Sequence, residues 1–193
     1  GEKARENITK LRSRLSSNPN IISITGSNIN IGQGLDNSSS KMTSGFEYKG
    51  KPVSVNIAAV DYDYLKTFGL KTVDGRDFDR SYINDSAYNV LLSESAAKQF
   101  GEKNLPGQQI ITDSSMPKWN IAGIFPDFHL YSLHQNIEPL ALVLSSNEQL
   151  RYCFIKTNAQ NMLSTIDAIK KEMAMLEPGR VFKGSFLDEN INN

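Results

Sequence analysis

Apolar and polar positions along this 193-residue chain follow two rhythms, and each predicts an element. Over residues 3–17, Ala4, Ile8, Leu11 and Leu15 form an apolar stripe at helical spacing among charges. Asn18-Pro19-Asn20 ends that helix, because proline excludes its predecessor from helical geometry. Residues 21–25, apolar and β-branched, read as a strand. Residues 46–48 and 52–60 read as a hairpin closed by Lys49-Gly50-Lys51, with Val53, Val55 and Ile57 on one face. Residues 90–92 are a short buried strand, and Ser93 caps a helix that runs through Ala96 and Ala97 to Phe100-Gly101. Pro106-Gly107 turns the chain into a strand at 108–112, paired with another at 119–125 through a turn at 113–118. Residues 140–144 and 151–156 are further strands, the second with Tyr152 and Phe154 on one face. The clearest helical period lies at 161–177, where Met162, Ile166, Ile169, Met173 and Leu176 recur until Pro178-Gly179 stops them. A last strand is expected at 181–187, which makes 152–187 a parallel strand–helix–strand unit with a right-handed crossover. The first helix and strand supply half of a second such unit.

The stretch from 60 to 78 organises the middle of the chain. Asp61 is placed to cap a short helix whose apolar side is Tyr64, Leu65 and Phe68, and Gly69 suits a left-handed C-terminal cap. Asp74-Gly75 is a turn dipeptide, and Arg76 and Phe78 follow at the spacing of one strand face. Three stretches read as loops: 27–45, rich in Asn, Ser and Gly; the polar segment 80–88; and 126–139, irregular or briefly helical. Together the elements predict an α+β fold, with helices from both chain ends packed on one face of a sheet and small elements inserted between them. The insertion is placed at residues 61–138, and the end-built part at 1–60 and 139–193.

Composition narrows the function classes. The chain is 39% apolar with 21 basic and 21 acidic residues, so its formal charge is zero. That balance argues against a nucleic-acid binder, which shows a basic excess, and no charge run is long enough for a polybasic membrane patch. No segment approaches the ~18 consecutive apolar residues that span a bilayer, and no signal-peptide pattern opens the chain. The single cysteine, Cys153, excludes an internal disulfide framework and reads as a small buried residue on a strand.

The chemistry-bearing patterns are weak. Asp127, His129, Ser132 and His134 hold the parts of a nucleophile triad, but no Gly-x-Ser-x-Gly exposes a serine and no His/Cys/Glu set completes a zinc site. They read instead as loop residues that cap turns. Asp61 and Asp63 serve a helix start, where negative charge is favoured. Asp74, Asp77 and Asp79 lack the glycine and distal glutamate of a calcium loop, and Arg76 is available to pair with a carboxylate and fix the turn. Gly32-x-Gly34 lacks the third glycine of a phosphate loop, and no Gly-x-x-x-x-Gly-Lys-[Ser/Thr] occurs. Trp119 and the Met-rich last helix read as core. No residue is assigned to catalysis, to a cofactor or to a metal.

One ordered set of motifs is specific. It begins with Val60-Asp61, Asp63-Tyr64-Leu65, Thr67-Phe68-Gly69-Leu70 and Gly75-Arg76-x-Phe78. It continues with Asn89 to Ala97, Phe100-Gly101, Pro106-Gly107-Gln108 and Ile121 to His129. Ser132-Leu133-His134, Ile137-Glu138-Pro139 and Phe186 to Glu189 close it. The set resembles the periplasmic core domain of MacB-like ABC transporter permeases, the FtsX-like family, over nearly the whole chain except 27–45. The resemblance implies a porter subdomain of βαβ units built from both chain ends and an inserted sabre subdomain. It also implies a segment lying between two transmembrane helices, on the periplasmic face of the inner membrane, which accords with a start at Gly1 rather than methionine. Its implied partners are a cytoplasmic ABC ATPase subunit acting through the membrane part, a second or related permease, and a periplasmic or outer-membrane protein. The function implied is non-catalytic, transmitting an ATP-driven change to export or signalling. The alternative is a ligand-sensing module on the same scaffold, with a pocket in the 27–45 loop or the insertion. A hydrolase using His129 or His134 is a third possibility.

Overall fold

The computed structural model describes residues 2–31, 42–112, 115, 117–128, 137–145, 150–179, 181 and 183–187. Its helices are α1 (Glu2–Leu15), α2 (Tyr64–Thr67), α3 (Asp85–Tyr88), α4 (Glu94–Gln99) and α5 (Met162–Leu176). Its strands are β1 (Ile21–Ser27), β2 (Thr43–Tyr48), β3 (Lys51–Val60), β4 (Asp74–Gly75) and β5 (Asn89–Ser93), then β6 (Gln109–Ile110), β7 (Trp119–Phe125), β8 (Leu140–Leu144) and β9 (Tyr152–Thr157). All nine join one mixed sheet in the order β4-β7-β5-β8-β3-β1-β9, with β2 beside β3 and β6 beside β7.

The apolar runs at β5 and β8 are central strands, buried on both faces. Val90 and Leu92 of β5 pack with Ala141 and Val143 of β8, beneath Ala96, Ala97 and Phe100 around α4. Leu91, Leu140, Leu142 and Leu144 point the other way, against Tyr64 and Leu65 of α2 and Phe125. A third cluster seats α1 and α5 on the far end of the sheet, through Ile8, Leu11, Leu15, Ile24, Leu150 and Ile169. Gly26 lets α1 come this close, since a Cβ there would press into the Ile8 side chain.

The hairpin turn is shorter than read. Tyr48 pairs with Lys51, and Lys49 and Gly50 both take positive φ (50° and 77°), the geometry of a two-residue type I′ turn. Gly69 has φ 73°; its N–H donates to Lys66 and that of Leu70 to Leu65, which closes α2 as expected. Ser93 caps α4 by accepting from the Ala96 N–H.

Several readings change. Residues 181 and 183–187 form no strand, and β9 pairs antiparallel with β1. Parallel pairs lie elsewhere, between β5 and β7 through α4 and between β3 and β8. In the 27–45 stretch, Ile29 and Ile31 are buried and β2 begins at Thr43; residues 32–41 lie outside the described set. The 80–88 loop contains α3, and the 108–112 strand shrinks to β6 with one further bridge between Ile111 and Glu47. Asp74-Gly75 joins the sheet edge opposite Ile124 and Gly123. Cys153 lies on its strand, as read, but is exposed rather than buried.

Candidate functional site

The polar structure concentrates at two joints, each built on a carboxylate taken out of water. The first lies where α1 crosses the sheet. Arg12 occupies the i+4 position from Ile8, on the flank of the buried stripe, so its guanidinium is carried under the helix rather than into solvent. There its Nη2 donates to Asp61 Oδ2 at 2.8 Å, and Nε and Nη2 donate to the Ile24 carbonyl at 3.3 and 3.0 Å. Asp61 is 5% exposed, and its other oxygen accepts from the Tyr62 N–H. The Asp61 N–H donates to the Gly26 carbonyl, and the Thr25 hydroxyl to the Tyr62 carbonyl. One ion pair thereby fastens α1, β1 and the β3–α2 corner together. Asp61 does not cap α2; Asp63 takes the N-cap position in the left-handed region, with no side-chain cap bond, and pairs with Arg80 at 3.0 Å.

Beside this joint the two end helices are tied laterally. Asn7 donates to Glu177 at 2.8 Å, and Arg14 meets Glu172 at 3.2 Å. Residues early in α1 thus meet the end of α5, and residues late in α1 meet its middle, so the helices run antiparallel.

The second joint is Arg76 with Asp85. Both guanidinium ends donate to the carboxylate at 2.7 Å, the bidentate geometry in which such pairs are strongest. The Asp79 N–H and Asn89 Nδ2 donate to the same carboxylate, whose side chain is 0% exposed. Burial by itself raises Asp85, but these bonds, led by Arg76, outweigh it and hold the carboxyl below its usual range. Asp77, half-buried with the Phe78 N–H donating to it, is raised, its partial burial outweighing that bond. Arg80 lies over the Tyr62 ring and Arg76 over that of Tyr82, at 4.5 and 3.8 Å from the centroids. The pairing foreseen for Arg76 is present; its partner, nine residues on, was not foreseen. Arg12 also escaped the sequence reading, although an arginine at i+4 inside an apolar stripe was the available signal.

The residues weighed for catalysis are not assembled by the described structure. Asp127 accepts from the Ser95 N–H at 2.8 Å and holds the start of α4, while His129, Ser132 and His134 lie outside the described residues. Asp74, Asp77 and Asp79 each accept from backbone N–H groups within two residues, as turn-forming aspartates do. Among the described residues no three His, Cys, Asp or Glu side chains gather to hold a metal ion, and no helix is long and apolar enough to cross a membrane. Trp119 is half-buried against the first core cluster, as read.

Comparison with known proteins adds the lineage. The family model described as the MacB-like periplasmic core domain matches residues 10–171. Among solved structures, the periplasmic region of MacB from Actinobacillus actinomycetemcomitans superposes with a TM-score of 0.61 at 18% identity, covering 88% of this chain and 73% of that one. The extracellular domain of the ABC-type transporter YknZ from Gram-positive bacteria gives 0.56 at 15%, covering 89% and 80%. A domain of a permease protein from Porphyromonas gingivalis gives 0.57 at 17%, covering 84% and 74%. At these identities the likeness is one of fold, the α+β porter-and-sabre arrangement. No curated protein matches the chain.

Proposed function

The chain belongs to the family of MacB-like periplasmic core domains, and from that premise we propose that it is a mechanical coupling element. As a member it is the extracytoplasmic part of an ABC transporter permease. The finer reading is that it passes conformational change, driven by a cytoplasmic ATPase, to export or signalling across the membrane. In this reading residues 1–60 and 139–193 form the porter part, and residues 61–138 the inserted sabre part. Its partners are the ATPase subunit, reached through the membrane portion of the permease, a second or related permease, and a periplasmic or outer-membrane protein.

The observation that carries this is the layer at the chain ends. The helices nearest the two termini are tied side by side by Asn7–Glu177 and Arg14–Glu172, and Arg12 bolts that layer to Asp61, where the inserted segment begins. A displacement applied at either end moves a packed layer as a unit, because close-packed interiors resist continuous deformation.

The test uses the whole permease with its ATPase in lipid nanodiscs. Spin labels on exposed Lys98 and Lys170, in a Cys153→Ser background, report distances within and between permease copies. The expected result is a nucleotide-dependent change between copies with the distance within each copy constant. Copies whose separation ignores ATP, or a domain that deforms internally instead, overturn the proposal.

A further inference from the structure

Where β5 and β7 begin, an open depression of about 530 Å³ is lined by Arg76, Tyr82, Ile83, Asn84, Asn89 and Asn120 among others. Asn89 and Asn120 stand opposite each other in the parallel β5–β7 pair. Gln109 Nε2 donates to Asn120 Oδ1 at 3.2 Å, which leaves Asn120 its NH₂ group as donor. Asn89 donates its NH₂ to Asp85, which leaves it a carbonyl oxygen as acceptor. An uncharged donor and an uncharged acceptor therefore sit on neighbouring strands, with the exposed Asn84 carboxamide at the rim.

Tyr82 supplies a platform. The Arg76 guanidinium backs its ring at 3.8 Å from the centroid and is itself gripped by both oxygens of Asp85. Half of the tyrosine's surface stays exposed. A first layer of contact groups locked by a buried second layer is how binding geometry is held ready in advance.

The chemistry selects the ligand. Arg76 is the charged side chain in the lining, and Asp85 balances it, so an ionic ligand gains nothing there. Hydroxyls both donate and accept, and match carboxamides of either polarity. The C–H face of a pyranose ring suits an aromatic face fixed from behind. An extended peptide would instead require a free strand edge, whereas β5 and β7 are flanked by other strands on both sides. We infer that this depression is a binding site for a neutral saccharide, hydrogen-bonded by Asn89 and Asn120 and stacked on Tyr82. The inference stands apart from mechanical coupling and is tested separately.

The test is an amide-detected NMR titration of the 193-residue chain with chitotetraose, cellotetraose and maltotetraose, each to about 20 mM, the range in which weak saccharide binding is read. At least one should shift the side-chain NH₂ signals of Asn84 and Asn120 in a saturable way. Tyr82→Ala should weaken that saccharide roughly tenfold, and Tyr82→Phe should retain it. Tyr82 is on the surface, so an unchanged melting temperature certifies that both variants fold. No saturable shift with any of the three, equal binding by Tyr82→Ala, or shifts with tetraalanine in place of the saccharides overturns the inference.

Discussion

Truncating Arg12 to alanine isolates the joint between α1 and the β3–α2 corner. Deleting one member of a fully buried ion pair costs about 3–5 kcal/mol, because the remaining charge is stranded. Asp61 meets that condition at 5% exposure, but the Arg12 side chain is 29% exposed, so water reaches part of the pair. The Tyr62 N–H also continues to support the orphaned carboxylate. Those two facts reduce the expected loss to about 2–3 kcal/mol. For a chain of this size that corresponds to a fall of about 5–10 °C in Tm. Asp61→Asn should cost less, since the amide oxygen still accepts one bond. In a double-mutant cycle read by urea denaturation, Arg12→Ala and Asp61→Asn should couple by about 1–2 kcal/mol. About 1 M NaCl should leave that coupling nearly intact, because buried pairs are poorly screened. The exposed Glu6–Lys10 pair is the control, where Glu6→Gln should cost about 0.5 kcal/mol or less. Additive single variants, or a coupling abolished by salt, would refute the joint as described.

The second joint yields a pH prediction. Asp85 is held below its unfolded value, so its stabilisation is complete above the usual aspartate range and is lost as pH falls through its folded value. Asp77, raised by burial, acts in the opposite sense, so the comparison must be made between wild type and Asp85→Asn. The variant should lose about 2–3 kcal/mol at pH 7 and show a flatter stability profile below about pH 4, as followed by circular dichroism; parallel profiles would contradict this. Gly123→Ala should cost about 3 kcal/mol or more, because a Cβ there would overlap the Arg76 carbonyl and part β4 from β7; a Tm within a degree of wild type would show the strand approach to be looser. Ser93→Ala removes both the α4 cap and the acceptor for the buried Leu140 N–H, a loss of roughly 2–3 kcal/mol in urea, and a loss under about 0.5 kcal/mol would dismiss the dual role.

Local readings succeeded where the physics is local. The α1 and α5 stripes, the Ser93 cap, the Gly69 terminator and the two central strands each depend on neighbours within a few residues. The expected strand fails at 181 and 183–187 because apolar residues alone do not make a strand: it needs an edge to pair with, and pairing is decided by distant partners. The 27–45 stretch misled for a related reason: Ile29 and Ile31, isolated among polar residues, are buried in a cluster whose other members, such as Leu65, Phe125 and Leu142, lie far along the chain.

By itself, then, the order of residues determined most of the element types, the α+β class and, through its ordered motifs, the family. Only the tertiary structure decided that Arg12 meets Asp61, that Asp85 is the buried partner of Arg76, and that Asn89 and Asn120 line one depression with Tyr82. The reason is physical. Backbone propensity and hydrophobic period are encoded over a turn or two of chain, whereas a buried charge is tolerable only beside a partner that folding alone delivers, and that partner leaves no mark of its own at its place in the sequence.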